Sequence, residues 1–206
     1  MKQRFLAALG VAVAAFLGLV TTAPAAVEAG FCYAYNGTVG FTTGNVTCAA
    51  DPGGNFALVV GENSEATATG GTGNTAIVIG DNGTAFAGLG NNNSASVFNG
   101  GTAYAATGNN NTASVVNGGS ASAYSGNHNS ARVLNGGGAT AYNGNRNSAS
   151  VFNGGIAFSA EGDDNLALVL NGGRAEAGAE SDTTAIALDG CTANATGADN
   201  LFDFCH

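Results

Sequence analysis

The segment Asn93-Ser-Ala-Ser-Val-Phe-Asn-Gly-Gly returns 18 residues later as Asn111-Thr-Ala-Ser-Val-Val-Asn-Gly-Gly, and again from Asn129, Asn147 and Asn165. Two earlier copies start at Asn55 and Asn74, each with one extra residue in its first turn, and a degenerate copy starts at Thr183. A fixed period of this length is the mark of a stacked repeat architecture, and it constrains the fold more than any other feature. Eight units run from about residue 55 to about 200.

With the leading Asn as position 1, position 3 is Ala in every unit, from Ala57 to Ala185. Position 5 is Val from Val59 to Val169 and Ala187 in the last unit. Ala returns at position 11 throughout and at position 13 except for Ser159. Each pair of positions alternates with period two, as a strand with one buried face does. Between the pairs lie Asn-Gly-Gly, as at Asn99 or Asn135, and turns centred on Gly108, Gly126 or Gly144. Gly and Asn accept the positive φ that tight reversals need. Each unit therefore reads strand, turn, strand, turn.

Identical residues at identical positions favour stacking each strand on its own copy one unit later. The leading Asn row, Asn55 to Asn165, would then form a ladder of amides bonded up and down the stack, with a second row in the first turn. The expected fold is all-β, a single-domain two-sheet parallel β-solenoid or β-roll with 18-residue coils. Its core of Ala and Val should be thin, and eight coils at ~4.8 Å make a rod of roughly 38 Å. Position 6 is apolar in every unit, from Val60 and Ile79 to Leu188. It cannot share a face with position 5 on a straight strand, so it either folds inward at the corner, the expected outcome, or lines an exposed apolar stripe.

Residues 1–25 lie outside this pattern. Lys2 and Arg4 precede an apolar run from Phe5 to Val20, and Ala23-Pro24-Ala25 or Val27-Glu28-Ala29 offers a small-residue cleavage site. The segment reads as a secretory signal peptide, which makes the expected location extracellular, with cell-wall association as an option. No later segment is apolar enough for long enough to span a bilayer. Beyond residue 25 only Arg132, Arg146 and Arg174 stand against all 14 acids of the chain, so a nucleic-acid partner is not expected.

Secretion permits disulfides. Cys32 with Cys48 and Cys191 with Cys205 is the expected pairing, because each pair is local and brackets one end. Residues 26–54 and 191–206 then form disulfide-closed caps over the repeats of residues 55–190. Phe31, Tyr33, Tyr35 and Phe41 at one end, and Phe202 and Phe204 at the other, are expected to plug the ends. A solenoid needs such caps because its terminal strands are unpaired.

Catalytic chemistry has little to work with. His128 occupies a turn position where other units carry Asn92, Asn110, Arg146 or Asp164. No nucleophile and base stand at a recognisable spacing, so no enzyme activity, catalytic residue or cofactor is expected. Glu161, Asp163, Asp164, Glu176, Glu180, Asp182, Asp189 and Asp199 gather in the last three units, where a calcium-roll pattern is missing. They read as a solvated, edge-protecting end, and no metal site is expected. The sharper feature is aromatic. Positions 12 and 14 of consecutive units carry Phe86, Tyr104, Tyr124, Tyr142 and Phe158, all expected to point outward. Stacked coils would align them as one stripe, which is either a binding surface or ring stacking that stiffens the rod.

The run Gly-Asn-x-Asn-Ser-Ala-x-Val over residues 55–200 resembles the head repeats of trimeric autotransporter adhesins. Those are short β-rolls on bacterial surfaces, and the resemblance implies adhesion. The period here is longer. Stacked amide ladders in two-strand coils are similar to those of curlin-type amyloid subunits, and the composition looks like that of secreted proteins of mycobacteria and their relatives. The expected function is a non-enzymatic surface or extracellular interaction protein, adhesin-like or bound to a cell-wall or host glycan or protein through the aromatic stripe. The alternative is a self-assembling structural protein of the envelope or matrix, and a homo-oligomer is compatible with either.

Overall fold

The computed structural model describes residues 29–206, so the signal-peptide expectation for residues 1–25 lies outside the described residues. Three strands precede the first repeat: β1 (Gly30–Tyr35), β2 (Thr38–Thr43) and β3 (Val46–Ala50). The first four repeats supply β4 (Phe56–Gly61), β5 (Ser64–Thr69), β6 (Thr75–Ile79), β7 (Gly83–Gly88), β8 (Ser94–Phe98), β9 (Gly101–Ala106), β10 (Thr112–Val116) and β11 (Ser120–Tyr124). The next four supply β12 (Ser130–Leu134), β13 (Gly138–Tyr142), β14 (Ser148–Phe152), β15 (Ile156–Ala160), β16 (Leu166–Leu170), β17 (Arg174–Gly178), β18 (Thr184–Leu188) and β19 (Thr192–Thr196). β20 (Phe202–Cys205) follows them.

The chain is a two-sheet β-solenoid. Sheet A orders its 11 strands β2-β1-β4-β6-β8-β10-β12-β14-β16-β18-β20, and sheet B orders its 9 strands from β19 back to β3. From β4 onward each strand of sheet A lies parallel to its copy in the next coil, in register, so that Ala113 pairs with Ala131 and Val115 with Val133. Sheet B does the same with Ala121 on Ala139 and Ala123 on Ala141. Like sits on like because the repeat length equals one circuit of the coil.

The core is the Ala and Val set read from the alternation. Positions 3, 5, 11 and 13 are buried in all eight repeats, and the Val row from Val59 to Val169 holds the largest apolar side chains fully buried. A core of methyl and isopropyl groups leaves no slack for larger groups. Gly119 shows how tight the coils are: its φ is +104°, and a Cβ there would sit 2.6 Å from the Gly137 carbonyl oxygen and 2.7 Å from Val133 Cγ1.

Three expectations are corrected. Position 6 does not fold into the corner. It points outward on sheet A, where Ile79 and Phe98 are 39% and 38% exposed and the other members are half-buried. Strand geometry wins, since residues 5 and 6 of a straight strand must face opposite ways. The coil count also exceeds eight, because the block before the repeat folds as a ninth coil. β3 continues sheet B in parallel, setting Cys48 on Ala66, whereas β1 enters sheet A antiparallel, with Cys32 opposite Val59.

The third correction concerns the ends. The disulfides form as expected, Cys32–Cys48 with Cα atoms 5.9 Å apart and Cys191–Cys205 at 6.1 Å. The aromatic residues, however, do not plug the core. Phe31, Tyr33 and Phe41 cluster on the outer side of the β1–β2 hairpin, and Phe202 and Phe204 are exposed on β20. Inward positions of β20 are taken by Asp203 and Cys205, opposite Ala185 and Ala187. Asp203 Oδ2 accepts the backbone N–H of Asn194 on the edge strand β19 at 2.6 Å.

Candidate ligand-binding face and its supports

The sheet B surface is held by three rows of Asn at the turns. The buried row works differently from an amide-to-amide ladder. Asn129 Oδ1 accepts the backbone N–H of Asn147 at 3.0 Å, while its Nδ2 donates to the carbonyls of Tyr124 at 3.3 Å and Gly144 at 3.0 Å. One side chain thus ties two neighbouring turns, and the pattern repeats from Asn74 to Asn147. The row ends at Thr183, whose backbone N–H and hydroxyl both donate to Asn165 Oδ1. Among the described residues no buried side-chain polar atom lacks a partner.

True amide ladders lie on the surface. Asn99, Asn117, Asn135 and Asn153 each donate Nδ2 to the next Oδ1 at 2.8–3.0 Å, and Asn171 donates to Asp189 at 3.1 Å. Asn91, Asn109 and Asn127 form a parallel ladder that ends where Asn145 donates to Asp163 at 3.0 Å. All donors point toward the C-terminal end, so a carboxylate, which only accepts, terminates each row. That assigns Asp163 and Asp189 a structural role that composition alone did not show.

On sheet B the five aromatic residues expected to form the stripe are half-buried and face outward. Phe86 and Tyr104 stack at 5.0 Å and 11°, and Tyr124 and Tyr142 stack at 5.4 Å and 14°. Tyr104 meets Tyr124 edge-on at 6.1 Å and 78°, because the row steps sideways there from position 12 to 14, placing Tyr104 opposite Ser122 and Tyr124 opposite Ala106. Four rings therefore form a continuous row. Phe158 departs from it. It pairs with Thr140 rather than Tyr142 and lies under the Arg174 guanidinium, 5.2 Å from its centroid.

Between Tyr142 and Phe158 the surface dips into an open depression of about 330 Å³. Ala160 and Gly178 line it without long side chains, together with Glu161, Arg174 and Glu176, the last two as an ion pair. Burial, then the negative charge of Glu161, raises the Tyr142 phenol above its usual value of 10.0, so its O–H is retained as a donor at any physiological pH. Rings, a hydroxyl donor, two carboxylates and a guanidinium on one flat face can stack and hydrogen-bond a polyhydroxylated ligand.

Other charged groups support turns. Arg146 reaches Asp164 one coil on with both Nε and Nη2, and this pairing first of all holds the Asp164 carboxyl below the usual 3.8. The Thr69 hydroxyl and the Gly70 N–H do the same for Asp51. His128 is exposed in a left-handed turn, φ 60°, aligned with Asn110 and Arg146. Among the described residues no group of three or more His, Cys, Asp or Glu is placed to hold a metal ion. No helix among them is long and apolar enough to cross a membrane. No family model, curated protein or solved structure matches this chain.

Proposed function

We propose that this chain is an extracellular, non-enzymatic binding protein that takes a carbohydrate polymer along the ring row of sheet B. The observation carrying this reading is the unbroken contact from Phe86 through Tyr104 and Tyr124 to Tyr142, on four coils whose other outward positions on sheet B hold only Thr, Ser, Ala and Gly. Half-buried rings aligned on an outward face offer a contiguous apolar patch of the kind that marks interaction sites. The rings are fixed at the coil spacing by the sheet beneath them, so little ordering opposes binding. Two disulfides and the secretory leader read from residues 1–25 support an extracellular setting. A cell-wall or host-surface glycan fits the adhesin-like reading.

The test is pull-down of the oxidised protein by insoluble polysaccharides, with Tyr104→Ser and Tyr124→Ser combined as the variant. Loss of about tenfold or more in apparent affinity is expected, as for truncation of aromatic anchors. Retained binding by the variant assigns the rings to stiffening alone. The row's two end-to-end stacks would then still contribute to stability at roughly 1 kcal/mol each.

A further inference from the structure

The outer face of sheet A carries no acid. Its outward positions 2, 4 and 6 across eight coils hold one charged residue, Arg132, in a chain of net charge −9. Every acidic residue among those described sits on a turn, on sheet B or, as Asp203, inside the last coil. An apolar row runs the full length at position 6.

Rows 4 and 6 of this face are also nearly symmetric end to end, whereas row 2 is Ser or Thr except for Phe56 and Leu166. Position 4 reads Leu58, Ile77, Ser96 and Ser114 in one half, then Arg132, Ser150, Leu168 and Ile186 in the other. Apolar residues flank a hydroxyl-rich centre. We propose that two copies of this chain pack through this face about a two-fold axis that runs along the strand direction between β10 and β12.

Such an axis leaves each position number where it is and reverses the order of the coils. Row 6 then lies on row 6, with Phe98 opposite Phe152 and Ile79 opposite Leu170 of the second copy. Row 4 sets Leu58 opposite Ile186, Ile77 opposite Leu168 and Ser96 opposite Ser150. Arg132 meets Ser114, and its guanidinium already lies 5.9 Å from the Phe152 ring. A two-fold axis along the rod would instead set row 6 on row 2, apolar on Ser or Thr in six of the eight coils. The absence of acids is what a self-contact requires in an acidic chain, since like charges facing each other are costly. Eight strands by five residues present about 38 Å by about 16 Å, or about 1,200 Å² of total buried area, the lower bound of a stable interface.

Sedimentation velocity over a concentration series on the oxidised protein spanning residues 26–206 tests this, since all strands lie within it. A dimer in the micromolar range is expected. A monomer at every concentration, or open-ended growth, overturns the proposal. Two double variants test the register. Ser96→Asp with Ser150→Asp sets acid against acid and should weaken the dimer by about tenfold or more, whereas Ser96→Asp with Ser150→Lys sets acid against amine and should restore it. Equal behaviour of the two pairs, each melting like the parent, overturns it. Should either variant fold poorly, hydroxyl-radical footprinting of the parent decides. Oxidation of Phe98 and Phe152 that falls with protein concentration supports the interface, and unchanged oxidation overturns it. A parent that stays monomeric but adheres to neutral lipid vesicles assigns the face to a membrane instead.

Discussion

At the scale of single residues, the turns hold the sharpest contrasts. Asn129 and Asn135 have the same side chain on the same strand unit, yet one is fully buried and satisfies three backbone groups while the other is exposed in a surface ladder. Replacing Asn129 by Ala strands the Asn147 N–H and two carbonyls, and should cost roughly 3–5 kcal/mol. Asn135→Ala should cost about 1 kcal/mol or less, since water replaces the lost partners. Urea titrations of both variants check the ratio, and equal losses would sink the bridging role of the buried row. A second contrast lies at position 15. Asn143 adopts φ 52°, a left-handed conformation suited to Asn, but Thr107 adopts φ 53° with a β-branched side chain. Such a residue pays for that region in strain. Thr107→Asn should therefore stabilise the fold by about 1 kcal/mol, read as a raised urea midpoint with unchanged slope.

At the scale of elements, parallel pairing follows from residue identity, and this much is legible from the repeat itself. Ala on Ala and Val on Val require each strand to lie on its copy, and the inward set from Ala57 to Ala195 is the one that alternation marks. Pattern is silent where the repeat stops. Nothing in Gly30–Tyr35 distinguishes an antiparallel strand from a parallel one, because its inward Cys32 and Ala34 suit both. Position 6 misleads for a different reason: apolarity suggests burial, but a strand cannot turn two successive side chains inward. The ring row is legible in spacing, whereas its sideways step at Tyr124 and the separation of Phe158 depend on which of positions 12 and 14 carries the ring. Asp203 is the element-scale surprise. An inward carboxylate on the last described strand of sheet A, bonded to the edge N–H of Asn194, occupies a donor that another coil stacked on sheet B would need. Asp203→Ala should leave the monomer folded, held by Cys191–Cys205, and allow end-to-end association. Light scattering that grows with time in the variant but not in the parent is the expected result, and identical traces would remove the carboxylate from that role.

At the scale of the whole molecule, the two faces of one rod differ in chemistry. Sheet B carries the rings and sheet A the acid-free apolar surface, and the thin Ala/Val core keeps them back to back along the whole length. If sheet A faces pair, the two ring rows end up on opposite outer sides of a four-sheet body, with the acidic turns along its margins. One dimer then engages two polymer strands, or two stretches of a surface that folds around it, and the second contact becomes intramolecular. This separates the two proposals in one experiment. The parent and the Ser96→Asp, Ser150→Asp protein have the same ring row, so a short soluble oligosaccharide should bind both alike. On insoluble polymer the parent should hold more tightly by roughly a hundredfold, through avidity alone. Equal retention of both on the polymer would mean that the ring rows never act together, and weaker oligosaccharide binding by the variant would mean that the two faces are coupled through the core.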